Sequence, residues 1–339
     1  MQRTISRTLA AAAAFLALAA APAAAQSDIL LRLRSGSPLG DRFRVDSASG
    51  FVAKGVLGVG IIPFTGAGER LMWHPNKAAF RAGSIGSAGT QWDDPNVGYY
   101  TWAGGYNTIA LGLASFAMGY QSTALGSYST AIGYTANADG TGAVAIGYRT
   151  TADADYSVAI GQRASTNGRA GSLVFSDGST TDSTQASANN QFTARYAGGY
   201  RLFTNATMTV GVQVAAGGSS WAVISDRNRK QDFLAVDGES ILARIRSLPV
   251  STWRYRDEED RSTLHIGPMA QDWHQAFGFT RDDNTINMSD FDGVNLAAIQ
   301  ALTKRTEALQ AENVALRAQN QQLMERLERL ERRVDAGSR

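Results

Sequence analysis

Cysteine is absent from this 339-residue chain, and histidine nearly so, with only His74, His265 and His274. Without cysteine there are no disulfides, so stability has to come from packing or from association. Three scattered imidazoles without ligand-like spacing make no metal site, and no cofactor is expected. After the first 25 residues no apolar run approaches the roughly 18 residues that span a bilayer. Net charge is lacking too. The formal +2 falls to zero once Arg3 and Arg7 leave with the N-terminal segment, which gives no support to nucleic-acid or anionic-membrane binding.

That segment has the parts of an export signal. Arg3 and Arg7 form a positive start, residues 9–20 are apolar, and Ala23-Ala24-Ala25 is a small-residue cleavage site. A mature chain beginning near Gln26 is expected, exported to the cell surface or beyond, with no membrane span.

A seven-residue period runs through the middle. Ala110-Leu111-Gly112, Ala117-Met118-Gly119, Ala124-Leu125-Gly126 and Ala131-Ile132-Gly133 fall in one register. It continues as Ala138-Asp139-Gly140, Ala145-Ile146-Gly147, Ala152-Asp153-Ala154 and Ala159-Ile160-Gly161, so the later unit is 14 residues long. A helical heptad is excluded, because recurrent glycine costs about 1 kcal/mol each inside a helix. The spacers, such as Tyr120-Gln121-Ser122-Thr123, are turn and strand formers. In a strand, Ala and Gly share one face and the Leu, Met or Ile takes the other. Short strands at fixed intervals stack into a β-solenoid. The large apolar residues are expected to fill its thin core. These repeats resemble the heads of trimeric autotransporter adhesins, which implies a trimeric parallel β-roll over 105–170. The polar tail Arg332-Arg333-Val334-Asp335-Ala336-Gly337-Ser338-Arg339 cannot supply the lipid-facing strands of an anchoring barrel.

Residues 26–104 form a β-rich cap region, with strands read at 30–34 and 51–53 and with Trp73, Trp92 and Trp102 as packing residues rather than a ligand platform. Residues 171–224 read as a β transition or neck, with a surface loop at 183–190. The sequon at Asn205-Ala206-Thr207 is not expected to carry a glycan.

From residue 294 to 335 the pattern becomes helical. Leu302, Leu309, Leu316, Leu323 and Leu330 recur at position d, and Ile299, Thr306, Asn313, Asn320, Leu327 and Val334 fall at position a. This predicts a parallel coiled coil about 50 Å long. Across neighbouring chains Glu312 faces Arg317, and Arg326 faces Glu331. Asn at position a with Leu at d leans toward a dimer, and the β-roll leans toward a trimer.

One candidate for chemistry lies between roll and coil. An apolar run ends at Ile224, and Ser225-Asp226-Arg227-Asn228-Arg229-Lys230 follows. Taken alone, Ser225-Asp226 reads as a helix cap with Lys230 on a solvated face. The wider stretch adds residues 242–249, Trp253-Arg254-Tyr255, Gly267-Pro268-Met269-Ala270-Gln271-Asp272 and residues 294–302. Together these resemble the intramolecular chaperone domain of phage tailspikes and endosialidases, peptidase family S74, over about 222–310. Ser225-Asp226 and Lys230 coincide with its S-D-x-x-x-K motif. Residues 267–272, including Gly267, Ala270 and Gln271, coincide with its G-x-x-A-Q-E motif, with Asp272 in place of Glu.

The resemblance implies a small α+β domain at 225–293 in which Ser225 is the nucleophile, Lys230 the general base, and the Ile224–Ser225 bond the one cut. Such chemistry needs a neutral amine, which an ordinary lysine is not at neutral pH. Burial beside Trp221 and the like charges of Arg227 and Arg229 are expected to supply it.

The functional expectation is an exported tail-fibre or adhesin-like homotrimer whose C-terminal part drives assembly and then cuts itself away. The alternative is a non-cleaving trimeric surface adhesin. A cell-surface or glycan ligand is the expected partner of the head. No paired-carboxylate motif suggests a glycan hydrolase.

Overall fold

The computed structural model describes residues 29–35, 40–47, 50–258, 262–279 and 282–337; the expected export segment lies outside them. The chain divides into two compact units, Met1–Tyr200 with Ala215–Gly217, and Arg201–Val214 with Gly218–Arg339.

The first unit carries an antiparallel sheet of Ile29–Ser35, Gly40–Asp46 and Gly50–Ala53, followed by the β-roll. Nine strands, from Gly68–His74 to Phe192–Arg195, make one sheet of the roll, and six two-residue strands make the other. After an antiparallel first pair the long sheet is parallel. Phe116 lies opposite Thr130, Thr130 opposite Val144, and Val144 opposite Val158. The 14-residue coil is therefore present in the early repeats as well as the later ones. One heptad supplies a five-residue strand such as Phe116–Tyr120, and the next supplies a two-residue strand such as Thr123–Ala124.

The core is inverted from the sequence expectation. Ala117, Ala131, Ala145 and Ala159 of the long strands and Ala110, Ala124, Ala138 and Ala152 of the short ones are fully buried. The large apolar residues face outward. Leu111 and Leu125 are 40% and 43% exposed, and Met118, Ile132, Ile146 and Ile160 are half-buried. Two sheets closed within a 14-residue coil leave a shallow interior, filled through these repeats by Ala, Ser and Thr; the larger Val174 joins the same core only past them, where the step from Val158 to its partner Leu173 is longer. A buried methyl-sized group contributes only about 0.8 kcal/mol. The single roll is thus thinly stabilised, and its better apolar surface is left unused.

Two features outside the core add cohesion. Tyr106, Tyr120, Tyr134 and Tyr148 form a ladder with ring centroids 5.0, 4.9 and 5.0 Å apart. That spacing follows from the strand separation. At the N-terminal end Arg81, in register with Ala103, closes the alanine interior. Its fully buried guanidinium donates to Phe80 O (2.8 Å), Thr101 O (3.2 Å), Thr101 Oγ1 (2.9 Å) and Ala110 O (3.0 Å). Burial lowers its pKa to about 10. Arg81→Ala removes all four of these bonds and opens a void, although Thr101 O and Ala110 O keep their backbone donors Phe80 N and Gly98 N. It is expected to destabilise the roll by about 2–4 kcal/mol, measured by thermal unfolding followed by circular dichroism.

Trp92 is fully buried with Ile62, Met72 and Ile85, and its Nε1 donates to Thr108 O at 2.9 Å. Trp73 and Trp102 stand on the outer face, substantially exposed. Within this chain Trp92 packs in the core, while Trp102 packs on the outer face against Phe80, with ring centroids 4.9 Å apart, and Phe116, 6.3 Å away.

The second unit holds helices α1 (Gly238–Ser247), α2 (Ala270–Phe277) and α3 (Met288–Gly337). Ile241 of α1, Trp273 and Phe277 of α2, and Val294 and Ala298 of α3 form its core. Arg305 of α3 pairs with Glu239 at the start of α1, its Nε donating to Oε1 at 3.1 Å. The 50-residue α3 is roughly 75 Å long. Its heptad positions Ile299, Leu302, Leu309, Leu316, Leu323, Leu327, Leu330 and Val334 are all exposed. Among the described residues no helix is long and apolar enough to cross a membrane.

Candidate functional site

A three-stranded sheet, Gly199–Phe203, Gly211–Ala215 and Ala222–Val223 in that order, leads to the site. The β-formers of Trp221-Ala222-Val223-Ile224 pair with the middle strand, Val223 opposite Val212. A Cβ on Gly211 would stand 2.0 Å from Leu202 O, so the strands approach closely only because it is glycine. The last backbone bond of the edge strand is from Ile224 N to Gly211 O, at 3.2 Å.

Past Ile224 the chain leaves the sheet and folds into one 3-10 turn, Arg227–Arg229. Asp226 caps it, Oδ1 accepting from Asn228 N at 2.9 Å. Arg229 N donates to Asp226 O (3.1 Å) and Lys230 N to Arg227 O (3.2 Å). This turn brings Lys230 back onto Ser225, and Nζ donates to Oγ at 2.6 Å. The cap expected of Ser225-Asp226 belongs to Asp226, and the contact between hydroxyl and amine belongs to its neighbours Ser225 and Lys230.

The expected burial is not found in the single chain. Ser225 and Lys230 are exposed, and Trp221 is 56% exposed. Nor are the two arginines free beside the lysine. Arg229 Nε lies 3.5 Å from Asp226 Oδ2 and its Nη1 donates to Thr209 O at 3.4 Å, while Arg227 sits over the Phe233 ring at 4.9 Å. One chain puts the hydroxyl and amine in contact but leaves both in water.

Gly267, Ala270, Gln271 and Asp272 serve a different part of the unit. Gly267 ends the strand His265–Gly267, paired with Ser251–Trp253. Ala270, Gln271 and Asp272 form the first turn of α2, the helix that sends Trp273 and Phe277 into the core. Among the described residues no hydrogen bond or ion pair joins them to Ser225 or Lys230. These residues belong to the strand and helix of the scaffold, a placement that the sequence alone did not separate from Ser225 and Lys230. Also missed were the contacts at Thr209 and Gly211, which lie in a stretch without motif character. Among the described residues no cluster of three or more His, Asp or Glu side chains is placed to hold a metal ion.

Comparison with known families agrees with both resemblances. Residues 225–280 match peptidase family S74, described as the chaperone of endosialidase, and the match begins at Ser225. Residues 112–136 and 138–164 match two copies of the YadA head domain repeat. No curated protein and no solved structure matches the chain.

Proposed function

We propose that this chain forms an exported homotrimeric fibre whose C-terminal unit drives assembly and then cuts the Ile224–Ser225 bond once, with Ser225 as nucleophile and Lys230 as general base. The observation that carries the reading is the 2.6 Å contact from Lys230 Nζ to Ser225 Oγ, one residue past a strand that holds Ile224 in place. The neutral Lys230 amine takes the hydroxyl proton as Oγ adds to the Ile224 carbonyl. The bond from that carbon to Ser225 N breaks, the nitrogen gains a proton, and an Ile224 ester on Oγ remains. Water hydrolyses the ester, leaving the Ile224 carboxylate and a free Ser225 hydroxyl.

Assembly supplies what the single chain lacks. The outward Leu, Met and Ile of the roll and the open a and d positions of α3 give three copies surface to bury, α3 as a coiled coil. Burial around Ser225 and Lys230 in the assembled form favours the neutral amine, so cutting follows correct assembly. Removing the assembly domain then leaves the roll kinetically trapped. The cut separates no paired strands: the sheets described before it pair only among themselves, and Ser251–Trp253 pairs with His265–Gly267 after it. The released head presents its outer surface to a cell-surface or glycan ligand.

The test is the intact mass of the purified protein beside Ser225→Ala. Fragments ending at Ile224 and starting at Ser225 in the wild type alone support the reading. A whole, trimeric wild type supports the non-cleaving adhesin. Leu316→Glu with Leu323→Glu places six carboxylates in a trimeric seam. The double variant is expected to be monomeric by light scattering and to remain uncut.

A further inference from the structure

We infer that Asp226 is the positioning residue of the Ser225–Lys230 pair, an inference that rests on the self-cutting reading. Five residues in extended chain cover about 17 Å, so the 2.6 Å contact exists only because the intervening segment is folded. Asp226 does the folding. Its backbone is extended (φ −74°, ψ 126°), and its Oδ1 accepts Asn228 N at 2.9 Å, which orients the turn that returns Lys230.

Its second oxygen points to Arg229, with Nε 3.5 Å away, and the same guanidinium donates to Thr209 O at 3.4 Å. Thr209 is two residues from Gly211, whose carbonyl holds Ile224 N at 3.2 Å. The residue before the scissile bond and the base beyond it are thereby held on one frame, through Gly211 on one side and through Arg229 and Asp226 on the other. Asp226 makes no hydrogen bond to Ser225 Oγ or Lys230 Nζ among the described contacts, so it acts through geometry. Arg229 is a partner of Asp226, lying against its Oδ2 and reaching Thr209 O.

The test follows the appearance of the Ser225-starting fragment with time after synthesis of the full chain, from pH 6 to 9, with light scattering to confirm assembly. Asp226→Ala is expected to slow cutting by about 10- to 100-fold, the scale of a misplaced reacting group, with an unchanged pH midpoint and an intact oligomer. Asp226→Asn keeps the capping oxygen and is expected to cut within about threefold of wild type. Wild-type rate in Asp226→Ala overturns the inference, and so does Asp226→Asn as slow as Asp226→Ala. A shifted midpoint with full rate at high pH also overturns it, in favour of a charge effect. A wild type that never cuts sinks the self-cutting reading itself and the inference with it. A cutting wild type with an indifferent Asp226→Ala sinks the inference alone.

Discussion

Lys230→Met is expected to leave the purified chain at full mass, as is Lys230→Arg, while the unchanged protein yields two pieces meeting at the Ile224–Ser225 bond. The pair of substitutions separates two roles for the lysine. Methionine keeps the length of the stem and removes charge and base together. Arginine keeps a cation that can still donate toward Ser225 Oγ, but it cannot become neutral in a protein and so cannot take the hydroxyl proton. If the amine is the base, both variants fail, each by at least the 10²- to 10⁴-fold that proton transfer typically contributes. Cutting by Lys230→Arg at a near-native rate would instead make the lysine an electrostatic or structural contact. Intact mass reads the products, and light scattering shows whether each variant still assembles. Loss of assembly in Lys230→Arg would place the lysine in the interface, not in the chemistry.

Gly133→Ala is expected to unfold the centre of the roll, and Gly198→Ala to be silent. Gly133 has φ +133°, and a Cβ there would stand 2.0 Å from Gly147 O on the next coil. A side chain in that backbone region costs of order 1–3 kcal/mol before any contact is counted. Relieving the clash means separating two coils whose backbone bonds include Thr130 N to Ala143 O (2.9 Å) and Arg149 N to Tyr134 O (2.8 Å). Each bond lost costs about 1 kcal/mol more. The sum is of the same order as the whole stability of an ordinary domain. Gly198 has nothing within 4 Å of a built Cβ, so its substitution should fall within about 0.5 kcal/mol of wild type. Circular dichroism melts of the two variants in an uncut Ser225→Ala background decide it. A Gly133→Ala protein that melts like wild type would mean that the coils stand further apart than this backbone contact requires.

Lys230 and Gly133 differ in how far the sequence alone reveals them. The Lys230 contact was readable as a residue pair because the hexapeptide carries a motif, but a motif states spacing and not distance. Distance came from the capped turn, and exposure came from the absence of a covering element in the single chain. The Gly133 position was readable as part of a period, and the period correctly announced stacked strands; that they run parallel was implied by the adhesin-head resemblance. The heptads of α3 were readable in the same way, because a helix writes its own geometry into side-chain spacing.

The sequence by itself determined the seven-residue period, the residues that share a strand face, the register of the leucines along α3, and the neighbourhood of Ser225 and Lys230. These depend on local backbone periodicity and on the order of residues. Tertiary structure alone decided which face of the roll is the inside. Alternation sorts Ala and Gly from Leu, Met and Ile, but it assigns neither set to the core. That assignment came from the gap between the two sheets of a 14-residue coil, which the repeats fill with methyls and small hydroxyls. The same narrow gap turned Leu111, Met118 and Ile132 outward and let the buried Arg81 close the end of the alanine column, because a large side chain fits only where the coil stops.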